Sequence, residues 1–207
     1  MQRPEIKYPR RTERRRRTRA AILKAAGDHF RKDGYATTTM QTIADSADVH
    51  VTTLFMHFKT KADLALNLVQ SRVDALRKRA FEARGSAGFF SFFRTEALTR
   101  AKMLSDEKDP ELTFWNALQT DADLAFASTT FDADQTDIFA RFVAEEFDLD
   151  RERDYRPDLV AGLLLSATDL AYRRWINSGR RKDPVEEISG ALDTAEPAAR
   201  QMLGLDP

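Results

Sequence analysis

The stretch TIADSADVHVTTLFMHFKTK, from Thr42 to Lys61, contains two short helical patterns. The first places Ile43, Ala44 and Ala47 on one face, and the second places Leu54 and Phe58 four residues apart. A helix of about two turns is marginal in isolation, so the surrounding chain must support it. Two short helices joined by a tight turn indicate a helix-turn-helix, whose second helix can lie in the major groove of DNA.

The second short helix exposes a defined set of side chains once Leu54 and Phe58 are buried. The turn falls at Ala47-Asp48-Val49, and the helix begins near His50. The predicted exposed face consists of Val51, Thr52, Phe55 and Met56, with Thr53 at its edge. Valine and threonine methyl groups can pack on the methyl group of thymine, and a threonine hydroxyl can reach a base or a phosphate.

The composition of the whole chain favours an all-helical globular protein of one or two domains. Of its 207 residues, 42% are hydrophobic, Gly and Pro number 8 and 7, and long runs lack the alternation of a strand. The absence of cysteine excludes disulfides and thiolate chemistry. No apolar run is long enough to span a bilayer, and the first residues, MQRPEIKYPRR, lack the apolar core of a secretory signal. We therefore expect a cytoplasmic protein with no membrane partner.

The net charge of zero conceals two halves of opposite sign. Residues 1–61 carry 14 Lys and Arg against 6 Asp and Glu, a net charge of +8, and the remainder carries −8. This asymmetry indicates that the first part binds a polyanion. The basic arm of Arg10, Arg11, Arg14, Arg15, Arg16, Arg17 and Arg19 is either a solvated helix start or a contact to the minor groove or phosphates.

Lys61 stands in the first turn of a helix that Thr60 can cap, with Asp63 two positions further on. A cation there opposes the helix dipole by a few tenths to about 1 kcal/mol. A phosphate would convert this cost into a gain, because the helix start also offers free N–H groups. We therefore predict a phosphate contact for Lys61, against the alternative of a solvated charge.

The remaining pattern predicts helices along the whole chain. The first ends at Gly34, and another begins at Thr60 and joins the two parts without a linker. Later segments are expected at 87–105, 110–126, 131–147, 156–179 and 184–203. Pro197 should end or kink the last of these near Ala195.

Catalytic and metal-binding patterns are missing from the sequence. His29 is interpreted as a core-facing residue of the first helix, and His50 and His57 have no acidic or Cys neighbour at ligand spacing. Neither a Gly-rich phosphate loop nor a nucleophile elbow occurs. We expect no enzyme activity, no metal and no cofactor.

The segment GYATTTMQTIADSADVHVTTLFMHFKTKADL (34–64) resembles the DNA-binding signature of TetR-family transcriptional regulators. The shared features are a Gly-aromatic pair after helix 1, Thr-Thr before Ile-Ala, and a short helix that ends in Thr-Leu-aromatic-x-x-Phe. The resemblance covers residues 19–68. Two positions depart from the family: Asp48 replaces the usual Gly of the turn, which aspartate should tolerate, and Phe55 replaces a Tyr whose hydroxyl often bonds phosphate.

The resemblance implies roles for individual residues. Thr39 would cap helix 2 against phosphate, Gln41 would reach a base, and Val51, Thr52 and Thr53 would contact the groove. Phe55, Met56 and Lys61 would face the backbone. The complete set of expected DNA-binding residues is Arg16, Arg17, Arg19, Thr39, Gln41, His50, Val51, Thr52, Thr53, Phe55, Met56, His57 and Lys61.

The second part of the chain is rich in aromatic residues, with 11 of 14 Phe after residue 80. A packed core accounts for most of them, but polar residues at helical spacing also fit an apolar ligand cavity, and the resemblance implies an effector site. The expected ligand-binding residues are Phe92, Phe93, Glu96, Arg100, Met103, Phe114, Trp115, Leu118, Gln119, Phe139, Phe142, Leu165, Thr168 and Asp169.

We therefore expect an all-α protein of about nine helices. A helix-turn-helix DNA-binding domain would occupy residues 1–60, and an effector-binding and dimerisation domain residues 61–207. The expected function is that of a homodimeric repressor on a palindromic operator, released by a small, largely apolar effector. The segment 157–179, which is nearly apolar in its first half, is either a central core helix or a dimer seam, and the family's four-helix dimer bundle favours the seam. A helical enzyme with a localising basic arm and an effector-free DNA-binding scaffold remain as alternatives.

Overall fold

The computed structural model describes residues 9–105, 113–114, 117–118 and 120–206. Eight α-helices and one short 3-10 helix have both ends within these residues, residues 113–114, 117–118 and 120 are also helical, and no β-strand occurs among the described residues. The helices are α1 (Pro9–Lys32), α2 (Met40–Ser46), α3 (Val51–His57), α4 (Lys61–Ala83), α5 (Phe89–Ser105), α6 (Ala125–Glu146), α7 (Arg156–Asn177) and α8 (Pro184–Met202). The 3-10 helix Ala122–Leu124 directly precedes α6. The all-α prediction is confirmed.

The chain divides into two compact units. The first comprises Met1–Gln70 and Thr113–Ser128, and the second comprises Ser71–Leu112 and Thr129–Pro207. Helix α4 contributes residues to both, because the division falls between Gln70 and Ser71. The compact units thus differ from a division at residue 60, and that functional boundary stays a prediction.

The core of the first unit forms around α1. Ile22, Ala26 and Phe30 recur at helical spacing and are fully buried. The Phe30 ring lies 5.2 Å from that of Tyr35 and stacks at 5.9 Å on that of Phe114. Since burial of apolar side chains is the main source of stability, this core holds the short helices α2 and α3 in place.

The second unit has an aromatic core and an antiparallel pair of final helices. Helix α8 packs on α7 and on α5. The α7–α8 connection is closed by Trp175, whose indole N–H donates to the Lys182 carbonyl over 3.0 Å. Asp183 then caps α8 by accepting from the Val185 amide over 2.8 Å.

Two of the predicted helix boundaries were wrong. Helix α6 begins at Ala125, earlier than the expected residue 131, because the 3-10 turn capped by Asp121 leads directly into it. Helix α8 does not end near Ala195 but passes through Pro197 to Met202, and the expected kink at Pro197 stays a prediction. Leu192, Ala195 and Ala199 are buried on both sides of the proline, so packing outweighs the lost hydrogen bond. Within the expected segment 110–126, the described residues 113–114, 117–118 and 120 are helical, and the 3-10 helix Ala122–Leu124 follows them.

Candidate nucleic-acid interface

Helix α2 begins with a reciprocal cap. The Thr39 hydroxyl accepts from the Thr42 amide, and the Thr42 hydroxyl accepts from the Thr39 amide, both over 3.1 Å. The predicted capping role of Thr39 is confirmed, and its contact with phosphate stays a prediction. Gln41 is exposed on the same helix and donates its amide to the Asp45 carboxylate over 2.8 Å.

The turn between α2 and α3 requires one residue in the left-handed region. Asp48 occupies it with φ of 52°. The Val49 amide then donates back to the Ala44 carbonyl over 3.0 Å, which closes the turn. The prediction that the turn survives the replacement of Gly by Asp is confirmed, since aspartate adopts this conformation more readily than most residues.

Helix α3 has the predicted inward and outward faces. Leu54 is fully buried and Phe58 is 3% exposed. On the other face, Phe55 is 43% exposed and Met56 is 75% exposed, although both are large and apolar. Thr52 is also exposed, whereas Val51, Thr53 and His57 are half-buried. An exposed apolar face on a short helix is unfavourable in water unless a partner covers it.

His50 caps α3, a role that the sequence pattern did not reveal. Its Nδ1 atom accepts from the Thr52 amide over 3.4 Å and lies 2.8 Å from the Thr52 hydroxyl oxygen. Because Nδ1 is an acceptor, the ring proton belongs on Nε2. His50 is exposed, so this N–H can donate to a partner.

The basic arm is part of α1, since that helix begins at Pro9. The guanidinium groups of Arg16 and Arg17 both donate to Glu13 over 2.9 Å. These two arginines lower the pKa of Glu13 to about 2. Arg19 packs over the Phe58 ring at 4.9 Å and donates to Asn67. A helical arm fits a contact along the phosphates better than an extended insertion into the minor groove.

The end of α3 lies beside cationic residues of α1. The pKa of His57 is lowered by burial and then by the nearby charges of Arg15 and Arg19. These guanidinium groups therefore lie close to the end of α3. A phosphate bound there would offset their repulsion of a protonated His57.

Lys61 has a different environment from the one expected. Its ammonium donates to the carbonyls of Tyr35, Ala36 and Thr38 over 2.7, 3.3 and 3.1 Å. It also lies 4.2 Å above the Tyr35 ring. A lysine ammonium has three donors, and all three are used within the protein. The phosphate contact of Lys61 stays a prediction, and the geometry supports a role in holding the loop before α2.

His29 is half-buried rather than core-facing. Its Nδ1 lies 2.7 Å from the Asp33 carboxylate, and its Nε2 lies 2.7 Å from the Ser46 hydroxyl. The ring thus joins the end of α1 to the end of α2. The sequence interpretation was wrong because the His29 side chain is 25% exposed and lies between two helix ends rather than in the core.

Four of the expected ligand-binding residues do lie together in the second unit. Phe92 and Phe93 on α5 face Phe139 and Phe142 on α6, with ring centroids between 4.8 and 6.3 Å apart. All four are buried. Their rings pack against one another and against Phe89, so they form a packed core, and their contact with a ligand stays a prediction.

Several other expected ligand residues have different surroundings. Glu96 accepts two hydrogen bonds from Arg79, at 2.8 and 2.7 Å, and Met103 is 52% exposed. Phe114 and Leu118 belong to the first unit and are buried there. Helical spacing does not show which unit a segment joins, and a ligand contact of these two residues stays a prediction. Trp115 and Gln119 lie outside the described residues.

The charged residues of the second unit converge near Arg100. Burial lowers the pKa of its guanidinium, against the opposing effects of Tyr172, Asp132 and Asp169. Asp169 is also paired with Arg173. On the same helix, Leu165 is half-buried and its carbonyl accepts from the Thr168 hydroxyl over 2.8 Å. Arg100 as a whole is half-buried, and the burial of its guanidinium is the largest influence on its pKa.

Metal-binding clusters and membrane-spanning helices are both absent from the described part of the chain. Its residues contain no group of three or more His, Cys, Asp or Glu side chains that could hold a metal ion. Within the same residues, no helix has the length and apolar character needed to cross a membrane.

The comparisons with known proteins support a helix-turn-helix DNA-binding protein. Residues 22–68 match the model of bacterial regulatory proteins of the tetR family. The transcriptional regulator TcmR of Streptomyces glaucescens is 26% identical over 200 residues, covering 92% of this chain and 86% of TcmR. The transcriptional activator FasR of Mycolicibacterium smegmatis is 26% identical over 188 residues, covering 86% and 80%.

A solved structure shows the same fold. It is Thermus thermophilus FadR, a TetR-family repressor in complex with lauroyl-CoA, with a TM-score of 0.62 and 22% identity, covering 84% of this chain and 91% of FadR. Together with the α2–α3 geometry, these matches define the class as a DNA-binding transcriptional regulator. Residues 22–68 thus carry the DNA-binding segment of the tetR family, and most of the chain is similar to TcmR, an HTH-type transcriptional regulator.

Proposed function

We propose that this chain is a homodimeric repressor that binds a palindromic operator through α3. The observation that carries the proposal is the exposed face of Thr52, Phe55 and Met56, beside Arg15 and Arg19 of α1. The apolar face supplies contacts to base edges, and the arginines supply attraction to phosphate. A two-fold dimer matches a palindrome, because each half-site then meets an identical surface.

The proposed dimer contact is the outer face of α7 and α8. Leu159, Leu163 and Leu170 follow one another at helical spacing on α7, and Leu159 and Leu170 are 57% and 58% exposed. Gly190, Thr194 and Ala198 give α8 an exposed face of small residues. Such a combination permits close packing against a second copy.

The proposed effector is small and largely apolar, with a polar or anionic group near Arg100. The buried aromatic core of α5 and α6 supports an apolar ligand, and the desolvated guanidinium supports an anionic group. FadR of Thermus thermophilus was solved with lauroyl-CoA, so acyl compounds are the first class to test. We infer that the effector acts by shifting α4, which is continuous from Lys61 to Ala83.

The test begins with selection of a duplex from a random DNA pool by the purified protein. Lauroyl-CoA, lauric acid, dodecylamine and glucose are then titrated against the labelled operator complex, and thermal unfolding is followed in parallel. Lauroyl-CoA or lauric acid should raise the melting temperature and release the DNA. Arg100→Gln should weaken both effects, and Arg79→Gln is the matched control.

Other outcomes distinguish the alternatives. Failure to select any duplex would refute the proposed function. Selection of an operator that no compound releases would instead support an effector-free scaffold. Because the relative FasR is named an activator, a reporter gene behind the operator decides the direction: expression should rise when the regulator is deleted.

A further inference from the structure

Helix α3 lacks the side chains that usually distinguish bases by paired hydrogen bonds. Its seven residues, VTTLFMH, include no Arg, Lys, Asn or Gln. Arg and Lys form the common bidentate contact to guanine, and Asn and Gln form the corresponding contact to adenine. The helix must therefore recognise bases mainly through apolar contact and single hydrogen bonds.

The hydroxyl group of Thr52 is already engaged. The His50 Nδ1 atom accepts from the Thr52 amide, so it carries no proton, and the Thr52 hydroxyl 2.8 Å away must donate to it. What Thr52 offers to a base edge is then its methyl group and an acceptor oxygen. Val51, Phe55 and Met56 add further apolar groups to the same surface.

The amide side chain nearest to this surface in sequence is also constrained. Gln41 on α2 donates its amide to the Asp45 carboxylate over 2.8 Å. The same contact places a negative charge beside the amide. Gln41 keeps its carbonyl oxygen and its second amide hydrogen, but it lies on α2 and is held by Asp45, so α3 itself contributes no paired contact to adenine.

We propose that this regulator recognises its half-sites chiefly through the 5-methyl groups of thymine. The inference rests on the proposed function and specifies the chemistry of the operator. The major groove displays this methyl group at every A·T pair, and it is the apolar feature of the base edges there. The cationic side of the surface, near Arg15 and Arg19, attracts phosphate without regard to sequence.

The expected change in DNA affinity follows from the burial of the thymine methyl group. Covering one methyl group is worth about a fourfold change in affinity. In a symmetric operator each contacted thymine occurs twice, so loss of one symmetric pair of methyl groups should weaken binding by about sixteenfold.

The experiment uses the selected operator with deoxyuridine in place of thymine. Deoxyuridine keeps base pairing and the O4 acceptor and lacks the methyl group alone. Symmetric pairs are replaced one at a time within the half-sites, and the same replacement in the flanks is the control. We expect about sixteenfold weaker binding at two or more half-site positions and less than a twofold change in the flanks.

Matched protein variants assign the contact to α3. Thr52→Ser removes the methyl group and retains the hydroxyl, whereas Thr52→Val does the reverse. With Thr52→Ser, the deoxyuridine penalty at one position should fall below twofold, and with Thr52→Val it should persist. Circular dichroism checks that both variants keep the wild-type helix content.

Two results would overturn the inference. One is an operator that is bound selectively but equally well when every half-site thymine is replaced. The other is a penalty that Thr52→Ser and Val51→Ala both leave unchanged. Failure to obtain any selective duplex would be a different result, because it would refute the proposed function itself.

Discussion

At the scale of single residues, Lys61 shows how one charge can organise a binding surface. Its ammonium is shared among three carbonyls of the loop at residues 35–38. That loop leads directly to Thr39, the cap of α2. Tyr35, which lies beneath the ammonium, is 2% exposed. Because Lys61 is also the first residue of α4, any movement of that helix start acts on the backbone that positions α2.

Replacement of Lys61 by Met tests this role. The variant keeps the apolar stem and removes the three donors, so we expect a loss of about 1–3 kcal/mol in the free energy of unfolding. Urea denaturation measures the loss, with Lys59→Met as the control because Lys59 is exposed. A phosphate contact would instead reduce the salt slope of DNA binding by about 1 and leave stability unchanged. That second pattern would contradict the structural role.

Residues whose partners are local in sequence were the ones that could be predicted. The cap by Thr39 depends on Thr42, and the turn at Asp48 depends on its own φ angle. The partners of Lys61 lie 23 to 26 residues earlier, and the Asn67 partner of Arg19 lies 48 residues later. Such pairs depend on how helices cross, which periodicity does not specify.

At the scale of elements, the α2–α3 turn depends on the backbone conformation of a single residue. Asp48 must hold a φ of 52°, a conformation that costs roughly 1–2 kcal/mol for an ordinary residue. We expect Asp48→Val to lower the free energy of unfolding by about that amount, since a β-branched side chain fits this region poorly. Asp48→Asn should be close to neutral and serves as control. Equal stability of the Val and Asn variants in urea would show that the turn is not constrained.

Contacts between helices explain why the last helix does not end near Ala195, as its sequence predicted. A proline inside a helical pattern predicts an end or kink, yet α8 continues to Met202. Arg94 on α5 binds Asp193 and Glu196, on either side of the turn that Pro197 disturbs. Together with the buried residues of α8, this contact keeps the helix on α5. Sequence pattern cannot supply such information, because the stabilising partner comes from a helix about a hundred residues earlier.

At the scale of the whole molecule, the separation of charge and apolar surface assigns different tasks to different parts of the chain. Residues 1–61 carry a net charge of +8 and contain the helix-turn-helix, whereas the remaining residues carry −8. Like charge on a nucleic-acid backbone repels the acidic part. The acidic part is therefore suited to contacts with a second copy of the chain and with an effector. For the contact with a second copy, we propose the exposed leucines of α7.

Substitution of Leu170 by Asp tests the dimer. Leu170 is 58% exposed in one protomer, so the change should not disturb folding of the chain itself. In an apolar seam it would bury two unpaired carboxylates across a two-fold axis, which is strongly unfavourable. We expect a folded monomer by sedimentation. Operator affinity should fall by about 100-fold or more, because the two half-sites would no longer be bound together.

Leu164→Asp provides the contrast on the opposite face of α7. Leu164 is 1% exposed, so a carboxylate there should unfold the protomer and not merely separate two copies. Circular dichroism distinguishes the two variants: helix content should persist with Leu170→Asp and fall with Leu164→Asp. A dimer that survives Leu170→Asp with full operator affinity would exclude this face as the seam. The operator would then have to be bound through a different pairing of protomers.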